Sequence, residues 1–257
     1  MKEAIVISII SEKGGIGKTT TTSCIGSILH LRNYKVLYID NDPQANLSLS
    51  MSIEKVVKYN EMDVLTEKCP AKDAVVKTSQ GDLIAGGKGL AQAEKEISGT
   101  GREYKLSEAI SPIKNEYDFI LIDCPPSLGV LTVNAMTASD YIIIPAQADA
   151  FSIQGIDQTY ETFNLIKKYT NRNLSILGLI LTRYNNRTVL SKELRTVIED
   201  VAKKMHCSVL GSVREGIVIK ESQAAKTDIM HYAPNCNAAL DYISITDTIL
   251  NKLKDGQ

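Results

Sequence analysis

Seven short runs of branched apolar residues punctuate this chain: AIVISII (4–10), VLYID (36–40), DLIAG (82–86), FILID (119–123), YIIIP (141–145), LSILGLIL (174–181) and SVLGSV (208–213). Their hydrophobicity is continuous rather than alternating, which suits strands covered on both faces of a parallel sheet. Helical patterns lie between them, at 18–32, 89–98, 104–116, 128–138, 153–170, 189–205 and 237–253. Strand alternating with helix predicts an α/β fold: a doubly wound, mostly parallel sheet with helices on both faces. Residues 52–80 show no clear period and read as short helices and loops. No repeat, low-complexity tract or linker divides residues 1–257, so the expectation is one domain. Its 257 residues, 44% hydrophobic and 23% charged, hold enough apolar material for a full core.

The first apolar run leads directly into SEKGGIGKTTTT (11–22) and then a helical pattern. Strand, glycine-rich loop, Gly17-Lys18-Thr19 and helix occur in the order a phosphate-binding loop requires. Glycines let backbone N–H groups close around phosphate, and a helix N-terminus adds partial positive charge. Lys18 would neutralise phosphate and the Thr19 hydroxyl would ligate Mg²⁺. The loop departs from the standard spacing in one respect. Five residues before Gly17 a glycine is expected at position 12, where the chain has Glu12, and a second lysine, Lys13, follows it.

Acidic residues close two further strands. Asp40 and Asp42 lie two apart in YIDNDPQAN, so an extended segment would turn both to one side. Asp123 ends FILID, just before Cys-Pro-Pro-Ser. Carboxylates at the carboxyl ends of strands beside a phosphate loop can hold Mg²⁺ waters or orient a nucleophilic water.

KGGIGKTT, IDNDPQANLS, YDFILIDCPPSLGVLTVNA and LTRYNNRT together resemble the ParA/Soj family of partition ATPases. That family belongs to the deviant Walker A branch of the P-loop NTPases, with MinD as a cousin. The similarity runs from about residue 3 to residue 250. The resemblance implies that Gly14, Gly15, Ile16, Gly17, Lys18, Thr19 and Thr20 wrap the phosphates of ATP. It implies that Lys13 is a signature lysine reaching the partner's phosphates across an ATP-closed homodimer. It makes Asp42 the residue that positions the attacking water, with Asp40 supporting the Mg²⁺ shell and Asp123 the Walker B acid. Residues 124–129 would form a switch that reports the γ-phosphate. Thr182 to Asn186 and the loop at 213–215 would lie near the adenine.

The same resemblance implies slow ATP hydrolysis, stimulated by non-specific double-stranded DNA and a ParB-like centromere-binding protein. The setting would be partition of plasmid, chromosomal or mobile-element DNA, in a cytoplasmic, nucleoid-associated protein of the short form, without an added helix-turn-helix. Three positions depart from the pattern: Glu12 where Gln or Asn is common, Ala45 where Gly is usual, and Val218 where many relatives have a DNA-binding arginine. With a net charge of −1 there is no global basic field, so DNA binding would need a local patch. The candidates are Arg187, Lys192, Arg195, Arg214 and Lys220, with Lys203, Lys204 and Lys226. A dimer would double such a patch, since affinity grows with the number of phosphates neutralised.

Five cysteines, an odd number without a C-x-x-C pair, argue for a reducing compartment and against a disulfide framework or a metal cluster. Cys124, beside the Walker B acid, reads as a buried thiol, and no second ligand accompanies it as an iron protein would need. The alternative to partition is a MinD-like membrane- or cargo-positioning ATPase. That reading turns on the helix at 237–253, which lacks a strong Lys/Arg face with bulky aromatics and reads as packed on the sheet; no stable membrane association is expected.

Overall fold

The computed structural model describes residues 3–53 and 57–255. Its strands are β1 (Ile5–Ile9), β2 (Val36–Asp40), β3 (Val75–Thr78), β4 (Gly81–Ile84), β5 (Phe119–Asp123), β6 (Tyr141–Ala146), β7 (Ser175–Tyr184) and β8 (Val209–Arg214). They form one sheet in the order β3-β4-β2-β5-β1-β6-β7-β8. Every pairing is parallel except the β3–β4 hairpin at one edge. The longer helices are α1 (Lys18–Leu31), α2 (Val130–Ala138), α3 (Ala150–Tyr169), α4 (Val189–Lys204), α5 (Ile217–Ala224) and α6 (Asn237–Asp255).

The continuous apolar runs serve two cores at once, because successive strand residues point to opposite faces. Ile120 and Ile122 of β5 join Leu37 and Ile39 of β2 in a core covered by α2, α3 and α4. Phe119 and Leu121 face the other way, with Tyr38, under α1 and α6. Burying both faces explains why these strands contain so few polar residues. The apolar side of α6, including Tyr242, Ile245, Ile249 and Leu253, is buried in this second core. That side packs on the sheet. Among the described residues no helix is long and apolar enough to cross a membrane.

Several boundaries differ from the sequence expectation. The pattern at 104–116 is a chain of short turns: 3₁₀ at Arg102–Tyr104, α at Lys105–Ile110 and 3₁₀ at Ser111–Glu116. Pro112 accounts for the break, since it has no N–H to continue an α-helix. The pattern at 89–98 is likewise a 3₁₀ turn at Lys88–Gln92 followed by Ala93–Glu96. The stretch 52–80 contains Glu61–Leu65, Ala71–Ala74 and the edge strand β3, which the sequence did not reveal; residues 54–56 lie outside the described residues.

Candidate functional site

The site lies over the carboxyl ends of β1, β2 and β5. β1 ends at Ile9 and the chain loops over the sheet edge before entering α1 at Lys18. Gly15 and Gly17 take positive φ, 69° and 94°, in the region that side chains resist. No side chain caps α1, so its first-turn N–H groups are available to an anion. Lys18 is only 7% exposed and folds back across the loop. Its Nζ donates to the carbonyls of Ser11 (2.9 Å) and Lys13 (3.1 Å). Burial lowers the pKa of this ammonium, and Asp123, Cys124 and Asp42 oppose that shift.

The β2–β5 register sets Asp40 directly beside Asp123. Thr19 Oγ1 donates to Asp123 Oδ2 at 2.7 Å, and Thr22 Oγ1 donates to Oδ1 at 3.4 Å. Burial, then the neighbouring Asp40 charge, pushes the Asp123 carboxyl well above its ordinary range. Asp40 is also fully buried, and burial raises its pKa to about 6 despite the hydrogen bonds from Ser48. Two buried acids side by side favour a divalent cation or a shared proton. Among the described residues no cluster of three or more His, Cys, Asp or Glu could hold a metal by itself. The donor set therefore fits a cation that takes other ligands from phosphate and water, as Mg²⁺ does.

Asp40 and Asp42, two apart at the end of β2, make different contacts. Asp40 is turned into the interior, where Oδ2 accepts from Ser48 N (2.7 Å) and Ser48 Oγ (2.6 Å). Asp42 lines a cleft of about 600 Å³, within the range of small-ligand sites. The chain turns sharply after Asp42, with Ala45 N donating to its carbonyl at 2.8 Å.

Gly14 to Thr20, Asp42, Gln44, Pro126 and Arg183 line the cleft from the loop side. Its far wall is Ser222 to Ala224 and Lys226 to Ile229, with Asn46, Leu49 and Ser50 closing another side. The sequence reading placed Thr182 to Asn186 and the 213–215 loop near the adenine. Arg183 of that stretch lines the cleft. Asn186 is exposed in the turn after β7, Val213 is buried, and Arg214 is bonded bidentately to Asp241. None of the three lines the cleft. This wall, the end of α5 and the turn after it, was missed because it is short and polar. It is tied down by distant bonds, Gln223 Nε2 to Thr20 Oγ1 (2.9 Å) and Ser52 Oγ to the Lys226 carbonyl (2.6 Å), which leave no local signal.

Lys13 also lies outside the cleft lining. Its Nζ bonds to Asp149 Oδ2 at 2.6 Å, beside Gln147 and Ser152, in its own chain. Burial pushes the Asp149 carboxyl up, but the Lys13 bond and the Ser152 amide outweigh it and hold it below its ordinary range. Cys124 is fully buried and its thiol is pushed well up by burial, consistent with an inert packing thiol.

A family model described as an AAA domain matches residues 4–176. The chain is 36% identical over 249 residues to the sporulation initiation inhibitor protein Soj of Bacillus subtilis (strain 168), covering 95% of this chain and 97% of that protein. The chain belongs to the ParA/Soj family. The chromosome partitioning protein ParA of Caulobacter vibrioides (strain NA1000 / CB15N) is 34% identical over 98% of this chain and 96% of its own length. Among solved structures, cobyrinic acid a,c-diamide synthase from Mycobacterium smegmatis with bound ADP and magnesium superposes with a TM-score of 0.81 and 31% identity. That match covers 99% of this chain and 97% of the other. The fold of this ParA/Soj member is thus that of the P-loop ATPases in the family.

The eight basic candidates for DNA contact divide in two. Arg195 is paired with Glu199 and lies over the Tyr184 ring, Lys203 is paired with Asp200, and Arg214 with Asp241. Arg187, Lys192, Lys204, Lys220 and Lys226 are exposed and form no ion pair among the described residues. Val218 is half-buried against the second core.

Proposed function

We propose that this chain is an ATP-hydrolysing switch of the partition type. It closes as a dimer on ATP, holds non-specific duplex DNA in that state, and releases it after hydrolysis stimulated by a ParB-like partner. The observation that carries the reading is the convergence of Lys18, the uncapped start of α1 and the bonded Thr19–Asp123 pair on a cleft that Asp42 also lines. Membership of the ParA/Soj family and the nucleotide and magnesium in a solved relative support it.

Mg²⁺, when bound, would neutralise phosphate charge, held by Thr19 and Asp123. The loop amides and Lys18 would bind the β and γ phosphates, exchanging the carbonyl bonds Lys18 makes here. Asp42 is nearly buried, and its Oδ1 accepts from Gln44 N at 2.9 Å, which fixes the carboxylate at the cleft wall where it would orient the attacking water. For Lys13 to reach a second subunit's phosphates, its bond to Asp149 must open. Slow turnover follows if the stabilising charge is assembled from two subunits only on closure.

The test is a comparison of the unaltered chain with Asp42→Ala. Asp42→Ala should bind ATP, dimerise and retain duplex DNA at low salt while hydrolysis falls about 100-fold, the loss typical of a removed catalytic group. Ordinary turnover in Asp42→Ala would refute its role. Failure of the ATP-loaded chain to bind plain duplex at low salt would refute the DNA-holding reading.

A further inference from the structure

We infer that Glu94 is a positioning residue for the ATP-sensing switch: it clamps the end of segment 124–129 and thereby sets where Pro126 stands against the phosphate loop. This rests on the ATPase reading above.

The switch segment leaves β5 at Asp123 and ends where α2 begins, at Gly129 and Val130. α2 has no capping side chain of its own at Gly129. The cap comes from 36 residues earlier in the chain: Val130 N donates to Glu94 Oε1 at 2.5 Å. A carboxylate at this position also complements the positive end of the helix. The approach is so close that a Cβ on Gly129 would collide with Glu94 Oε1, so glycine is what lets the carboxylate in. From the first turn of α2, Thr132 Oγ1 donates back to the Ser127 carbonyl at 2.5 Å. Pro126 lines the cleft, and its Cβ stands 3.9 Å from where a Cβ on Gly14 would be. Glu94 on Val130 and Thr132 on Ser127 thus fix the end of a segment whose Pro126 lines the same cleft as the phosphate loop.

Glu94 is itself carried on a strap fixed at its other end to the acidic strand. The strap follows β4, and Leu90, Ala93 and Ile97 bury it in the core. At its start Gly86 N donates to Ser48 Oγ at 3.0 Å, the same hydroxyl that donates to Asp40. A Cβ on Gly86 would lie 2.6 Å from the Asp40 carbonyl. One short segment therefore touches both the β2 acid end and the switch.

Two variants disturb the contact from opposite sides. Glu94→Ala removes the carboxylate, and Gly129→Ala displaces it while leaving it in the chain. Each should lower kcat for ATP about tenfold, the scale of a lost helix cap expressed in the barrier. The dissociation constant for ADP, which lacks the γ-phosphate, should stay within about twofold. Glu94→Gln keeps an acceptor for Val130 N and should recover most of kcat. In the double variant the losses should not add, as expected for one shared contact. Thermal denaturation run alongside separates the two roles. A lowered melting temperature with unchanged kcat would overturn the inference and leave Glu94 a cap only. Additive losses, or weakened ADP binding matching the loss in kcat, would also overturn it. Absence of hydrolysis in the unaltered chain would overturn the ATPase reading, and the inference with it.

Discussion

Ala45 holds φ 51° and ψ 35°, a left-handed conformation that a Cβ disfavours by about 1–2 kcal/mol. That is the physical reason a glycine is common at this position in the family pattern. Ala45→Gly should therefore raise stability by about 0.5–1 kcal/mol, strain relief reduced by the greater freedom of glycine in the unfolded chain. Chemical denaturation would show it, and a loss of stability would mean the strain is absent. Asp40 gives a second test at this scale. Its folded pKa of about 6 lies above its ordinary value of 3.8, so between those values the native chain keeps a proton that the unfolded chain has released. Asp40's contribution to the stability of the ligand-free chain should fall as pH rises from about 4 to about 6 and then level off. The buried Asp123 acts in the same direction. Asp40→Asn should flatten the slope, and an unchanged slope would assign it to other groups. Single residues were legible in the sequence to unequal degrees. Lys18, Thr19 and Asp123 could be read from local order alone. The extra lysine at 13 was visible, but its partner Asp149 stands 136 residues away and nothing local names it.

Elements were legible wherever burial was symmetrical. Strands β1, β2, β5, β6 and β7 declared themselves because both of their faces are in a core, which leaves only apolar residues acceptable. β3 escaped because VVKT sits at the sheet edge, half-buried, with Lys77 turned out to solvent. α1 shows how tightly the visible elements fit. Gly26 lies flat on the ring of the fully buried Tyr38, and a Cβ there would run into the ring and its hydroxyl. Gly26→Ala gains helix propensity but must displace a large side chain from a closed core. Overpacking of this kind costs about 1–3 kcal/mol, more than the roughly 1 kcal/mol propensity gain. Net destabilisation by about 1–2 kcal/mol is expected in thermal or urea unfolding. A stabilised variant would show that α1 can lift from β2, which would loosen the phosphate loop at its start.

For the molecule as a whole, with a net charge of −1, the proposed DNA binding would depend on where charge is free rather than on how much there is. The sequence shows eight basic candidates but not their neighbours, and the fold neutralises three of them. Arg214 is held in two bonds by Asp241, and Arg195 and Lys203 are paired on α4. A guanidinium already bonded bidentately must give up that carboxylate before it can meet a phosphate. Arg187, Lys192 and Lys220 make no such exchange, since they stand exposed without an ion pair among the described residues. If the ATP-closed dimer holds duplex through these three, each contributes twice. Lys192→Ala and Lys220→Ala should then each reduce the slope of log affinity against log salt by about 2, from a dependence of roughly 0.9 per phosphate contact. Arg214→Ala should leave the slope nearly unchanged and lower stability instead, through loss of its tie to α6. Filter binding of ATP-loaded protein to a mixed-sequence duplex over about 50–200 mM salt would separate the two patterns. A reduced slope in Arg214→Ala with none in Lys192→Ala or Lys220→Ala would move the DNA surface to the β8–α6 corner.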